Sequence, residues 1–226
     1  MNLKDLKPVS SLAARNGVKA IAYGPAGSGK TPLVATAPRP ILLACEPGML
    51  SMKSVNNVPA WDAYTLPRIK EFFDWFFQSN EAKQFDTLAV DSLSQLAEIV
   101  LSHHLPLNKD PRKAYGELSQ TVMKWVNDLY FKPETNLYLI CKQMTIDENG
   151  TMRKPYFPGQ DLNVKIPHLF DEILHIAPAL VPGAGPKPVT AIRCQPAFDI
   201  MARDRSGNLA EFEQPNLTNL FNKAMQ

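Results

Sequence analysis

Cysteine, histidine and surplus charge are all scarce in this chain, and each shortage removes a class of function. Its 226 residues include three cysteines, Cys45, Cys141 and Cys194. An odd number without metal-like spacing supports neither a disulfide framework nor a Cys-based zinc site. Each lies in or at the end of an apolar run, so buried free thiols in a reducing cytoplasm are expected. The four histidines (His103, His104, His168 and His175) likewise lack the spacing of a metal site. No apolar run approaches the roughly 20 residues of a membrane-spanning helix, and no apolar core follows the N-terminal lysines as in a secretory signal. The formal net charge is only +2. That is far below the basic excess typical of DNA-binding proteins, so any case for nucleic acid rests on where the charges lie. Proline alone is abundant, with 20, but the prolines fall between predicted elements and mark no low-complexity segment or repeat.

What is present is an alternation of apolar strands and helices. Val18–Tyr23, Pro40–Cys45, Thr87–Val90 and Leu137–Cys141 read as buried strands. Lys30–Ala37, stopped by Pro38 and Pro40, is expected to be a helix, as are Pro67–Ser79, Ser92 to about His104, and about Tyr115–Phe131. Continuous apolar strands alternating with helices predict an α/β fold with a mainly parallel sheet covered on both faces. Residues 143–165 read as a projecting hairpin turning at Asn149–Gly150. Ile173–Ala177 returns as a strand, Pro188–Cys194 and Phe198–Arg203 as an antiparallel pair at the C-terminal edge, and Asn216–Met225 as a terminal helix. Residues 1–17 form an N-terminal arm ahead of one domain, 18–226.

The strongest signal is Gly24-Pro25-Ala26-Gly27-Ser28-Gly29-Lys30-Thr31, a complete G-x-x-x-x-G-K-[ST] loop after a strand. Its glycines let backbone N–H groups converge on phosphates without an intruding side chain. Lys30 can reach the β- and γ-phosphates, and Thr31 can ligate Mg²⁺. The cofactors expected are therefore ATP and Mg²⁺. Asp91 closes an apolar strand, at the sheet edge where ligands bind in such folds, and is placed to hold Mg²⁺ through water. Glu46 follows the strand ILLAC and could activate the attacking water, or be a solvated loop carboxylate. Gln143, just past LYLICK, is placed to hydrogen-bond a γ-phosphate.

Together these pieces resemble the RecA-like P-loop NTPase core over about residues 18–205. LAVDSLSQL looks like its second nucleotide motif, LLACEPG like the strand end carrying its catalytic glutamate, and LYLICKQM like its sensor strand. LLACEPG and DRSGNLAEFE bring the chain nearer to the small phage-encoded ATPases with single-strand annealing activity. That resemblance implies Glu46 as the base, Gln143 as the switch, and the cytoplasm of a host cell as the location. Arg203 and Arg205 resemble the paired basic residues by which ring-forming relatives reach a neighbouring subunit's γ-phosphate; a solvated turn is the alternative.

The resemblance also points to two loops as a surface for single-stranded DNA. One carries Lys109, Arg112 and Lys113, and the other Arg153, Lys154, Tyr156 and Phe157, with Lys165 just beyond. Cations to track phosphates and aromatics to stack bases suit single strands; the alternative is a solvated loop over a packed Tyr-Phe pair, with Asp147, Glu148 and Asp161 diluting the positive charge. The expectation is a slow ATPase that assembles into a ring or filament and acts on single-stranded DNA in recombination or annealing. A single-strand-binding protein is a further candidate partner. A DNA-dependent motor or loader, and more remotely a small-molecule kinase, are the alternatives.

Overall fold

A computed structural model describes residues 6–7, 17–147 and 151–226. The N-terminal arm thus lies almost wholly outside the described residues, as does the Asn149–Gly150 turn. In chain order the first half comprises β1 (Lys19–Tyr23), β2 (Pro40–Ala44), β3 (Ala60–Asp62), α1 (Leu66–Gln78), β4 (Thr87–Asp91), α2 (Leu93–His104), α3 (Pro111–Tyr130) and β5 (Asn136–Cys141). The second half holds β6 (Gln143–Ile146), β7 (Met152–Pro155), α4 (Gln160–Leu169), β8 (Glu172–Ala179), β9 (Val189–Arg193), β10 (Arg203–Asp204), β11 (Phe212–Glu213) and α5 (Leu217–Ala224).

One sheet runs β11-β9-β8-β1-β5-β4-β2-β3, with β10 also against β8. From β8 to β3 every pairing is parallel, while β9, β10 and β11 pair antiparallel. Every residue of β1, β2 and β4 is buried, as strands with apolar cover on both faces must be. The two-residue period of β1 sorts its side chains. Ile21 and Tyr23 enter the core built with α1 to α4, whereas Ala20 and Ala22 enter the core that Leu33, Val34, Leu220 and Phe221 close. On α1, Ile69, Phe72, Phe73 and Phe76 form the buried stripe, and Phe73 stacks on Trp125 of α3 with ring centroids 4.8 Å apart. This aromatic-rich face holds the layers in place and keeps the strand ends fixed.

Several elements depart from the sequence reading for local reasons. Lys30–Ala37 is not an α-helix but a turn leading into a short 3₁₀ segment, Pro32–Thr36. Pro32 sets the start, and Ala37 is extended as the residue before Pro38. That leaves room for one tight turn only. Helix α3 starts a turn earlier than expected, because the Asp110 side chain accepts from the Arg112 N–H and Pro111 takes the first position. The antiparallel partners of β9 are β8 and β11, not Phe198–Arg203. Pro196 lacks a donor for a ladder, Ala197 and Ile200 bond each other in a turn, and Phe198 stands 90% exposed. Of that stretch only Arg203 reaches the sheet, together with the next residue, Asp204.

The hairpin is likewise shorter than read. It ends at Pro155, and Gly159, in the left-handed region at φ +81°, redirects the chain into α4. Lys165 therefore sits on a helix. At the hairpin base the Ser94 hydroxyl donates to the Tyr156 carbonyl at 2.6 Å and accepts from the Lys142 N–H at 2.9 Å. All three cysteines are buried, as their apolar surroundings predict.

Candidate nucleotide-binding site

Strand order decides what gathers at the carboxyl edge of the sheet. Strand β5 lies between β1 and β4, so the Gly24–Thr31 loop, Asp91 and Gln143 leave three adjacent strands and meet around one cavity of about 450 Å³. Glu46, which follows β2, lines the same cavity. The sequence placed these residues at strand ends; the sheet brings them together.

The loop is held by close approach. A Cβ at Gly24 would fall 2.0 Å from the Ile176 carbonyl oxygen of β8, so no side chain fits there. Gly27 and Gly29 adopt φ of +76° and +90°, a region that L side chains rarely enter. The Lys30 amine folds back onto the loop, donating to the carbonyls of Gly24 at 2.9 Å and Pro25 at 2.8 Å. Burial holds this amine below the usual lysine range, against the pull of Asp91 and Glu46. Because the segment behind the loop is a 3₁₀ turn, attraction for phosphate rests on Lys30 and the loop N–H groups, not on a helix dipole.

The residues expected to hold Mg²⁺ are in contact. Thr31 Oγ1 donates to Asp91 Oδ2 at 2.5 Å, and Asp91 is only 6% exposed. Burial raises the Asp91 carboxyl; the Thr31 bond offsets part of this, and Glu46 adds repulsion. Two crowded carboxylates beside a hydroxyl are a donor set that fits a hard divalent cation. Among the described residues, no group of three or more His, Cys, Asp or Glu could hold a metal ion, so a cation here would depend on phosphate and water for its remaining ligands.

Sequence reasoning missed three contributors. Ser92 was legible only as the cap of α2, a role it fills by accepting from the Gln95 N–H at 3.1 Å. It also donates to Glu46 Oε1 and so orients the candidate base. The buried Tyr138 hydroxyl donates to the Lys30 carbonyl at 3.1 Å, tying the loop to β5. His175, a polar residue inside the apolar run of β8, bonds Gln143 Oε1 through Nε2 at 3.0 Å. A histidine in a buried strand was the available signal.

The remaining predicted residues are dispersed. Arg203 and Arg205 lie with β10 against the opening residues of β8, toward the other end of the sheet from the phosphate loop. Arg203 donates to the Pro167 and Phe170 carbonyls. Arg205 donates to those of His168 at 2.6 Å and Leu169 at 3.0 Å. Both thus cap α4, a structural role that their sequence pattern does not reveal. Lys109, Arg112 and Lys113 are exposed at the start of α3, with Arg112 paired to Asp110. Arg153 pairs with Asp199, and Lys165 with Asp161 at 2.8 Å. Lys154 and Tyr156 are half-buried. Phe157 is fully buried, which removes it from any base-stacking surface.

A family model described as an AAA domain matches residues 16–206. No curated protein matches the chain. Among solved structures, it is similar to the crystal structure of a KaiC-like protein from the hyperthermophilic archaeon Pyrococcus horikoshii OT3. The two share 10% identity over 79% of this chain and 78% of that one, with a TM-score of 0.45. At that distance the likeness adds nothing to the topology above. The family match runs from just before β1 to just past β10, and the chain belongs to the AAA domain family.

Proposed function

We propose that this protein binds ATP·Mg²⁺ and hydrolyses it slowly, assembles with copies of itself, and acts on single-stranded DNA in recombination or annealing. The observation that carries the nucleotide part is the convergence of Lys30, the Thr31–Asp91 pair, the Ser92–Glu46 pair and Gln143 on one cavity. Lys30 exchanges its loop carbonyls for phosphate oxygens. Thr31 and Asp91 hold Mg²⁺, which neutralises phosphate charge when bound. Glu46, held by Ser92, takes a proton from the water that attacks the γ-phosphorus, and ADP leaves. Gln143 senses the γ-phosphate.

The DNA part rests on position. The β6–β7 hairpin begins at Gln143 itself, so the segment nearest the γ-phosphate leads into Arg153, Lys154 and Tyr156. Lys109, Arg112 and Lys113 add exposed positive charge. A trans arginine is kept here for Arg205, whose side chain is 42% exposed. The test is the ATPase rate with and without single-stranded DNA, with Lys30→Ala as the blank. Stimulation by single strands supports the reading. A rate indifferent to DNA leaves the nucleotide site standing and favours a switch that remodels a protein partner.

A further inference from the structure

We infer that His175 is a positioning residue for the nucleotide sensor: it fixes which end of the Gln143 carboxamide faces the phosphate, and through Tyr23 it gives the sensor a second link to the returning strand of the β6–β7 hairpin, beside the direct pairing of Gln143 with Pro155. The inference rests on the ATPase reading above and adds a residue to it.

A carboxamide has one accepting end and one donating end, and phosphate oxygens only accept. Left to rotate, Gln143 would turn either end toward the cavity before nucleotide arrives, and fixing the NH₂ inward would cost part of the interaction. With Oε1 engaged by His175 Nε2 at 3.0 Å, the NH₂ is the end left for phosphate. His175 can play this part only with the proton on Nε2. The ring is 3% exposed. Burial, reinforced by Arg153 and Arg193, lowers its pKa to about 4, so the ring is neutral near pH 7; the proton sits on Nε2 because that nitrogen faces an oxygen that only accepts.

The same ring touches a second partner. His175 and Tyr23 are register neighbours on β8 and β1, with ring centroids 4.9 Å apart. Tyr23 directly precedes Gly24 of the phosphate loop. Its hydroxyl proton is shared between the carbonyls of Met201 at 2.7 Å and Arg153 at 2.9 Å. Arg153 belongs to β7, and its carbonyl also accepts from the Met201 N–H at 2.9 Å. A continuous path of contacts therefore runs from the γ-phosphate sensor through His175 and Tyr23 to the returning strand of the hairpin. Sequence places His175 and Tyr23 far from the hairpin, and the adjacency of β5, β1 and β8 is what brings them between its two strands and the phosphate loop.

The test compares His175→Phe, which keeps an aromatic ring against Tyr23 but deletes the donor, with His175→Gln, which restores a donor. Circular dichroism and melting establish that each variant folds. His175→Phe is expected to keep ATP affinity within about twofold while kcat falls about tenfold. Gln143→Ala should lower kcat similarly, and the double variant should lose no more than either alone. His175→Gln should recover most of the rate. Wild-type kcat in His175→Phe, or fully additive losses, overturns the inference. Should the wild type not hydrolyse ATP, amide hydrogen exchange at residues 152–154 decides instead. Slowing by ATP·Mg²⁺ in the wild type that vanishes in His175→Phe upholds the path from sensor to hairpin. Exchange that responds equally in both, or in neither, refutes it.

Discussion

Replacing Lys30 by alanine is the sharpest probe of the nucleotide site, and the structure sets the size of its effect. The Lys30 amine is held by two loop carbonyls, those of Gly24 and Pro25, at 2.9 and 2.8 Å. Binding ATP requires it to leave both for a phosphate. An ion pair at about 4 Å in an effective dielectric of about 20 is worth about 4 kcal/mol. The two carbonyl bonds given up offset about 1–2 kcal/mol of that. The balance, about 2–3 kcal/mol, corresponds to a roughly 30- to 150-fold weaker Kd. Calorimetric titration with ATP·Mg²⁺ measures it, and melting without nucleotide shows that the variant still folds. A Kd within about threefold of wild type would refute the assignment of Lys30 to the phosphates.

Three further outcomes are expected. Phe157→Leu shrinks a fully buried ring and should cost about 1–1.5 kcal/mol, lowering Tm by roughly 2–6 °C. DNA affinity should not change in that variant, and a selective loss of DNA binding with unchanged Tm would return Phe157 to the surface. Glu172 is 1% exposed, its Oε2 has no hydrogen-bond partner among the described residues, and burial, with Asp204 next, raises its carboxyl to about 8. The native state therefore binds the extra proton between the ordinary pKa of 4.5 and about 8. Stability from this group falls as pH rises through that window. Glu172→Gln should melt higher than wild type above pH 8 and converge with it near pH 5, and a pH-independent difference would show the shift to be wrong. Arg205→Ala removes two caps of α4 and should lower Tm by about 2–4 °C. Its ATPase, assayed well below melting, should fall with nucleotide affinity intact; unchanged turnover would end the trans role.

How much was legible follows from how local each signal is. The Gly24–Thr31 loop needs no tertiary information, because its glycines, lysine and threonine act within eight consecutive residues. Asp91 and Gln143 were legible as polar residues closing apolar strands. The 3₁₀ turn was visible in principle, since Pro32 and Pro38 bracket it, but the helical expectation for a phosphate loop outweighed the prolines. Phe157 shows the opposite case. An aromatic beside cations looks like a stacking platform, and only its burial in the core that α1 to α4 share shows that it is not one.

The order of residues thus determined the strands, the phosphate loop and the chemical types available at each strand end, because those depend on short-range pattern and backbone geometry. Tertiary structure alone decided the partnerships: Ser92 with Glu46, His175 with Gln143, and Arg203 and Arg205 with the end of α4. A hydrogen bond is satisfied within about 3 Å, and which groups come that close depends on which strands lie side by side, a property of the whole sheet that no local stretch encodes.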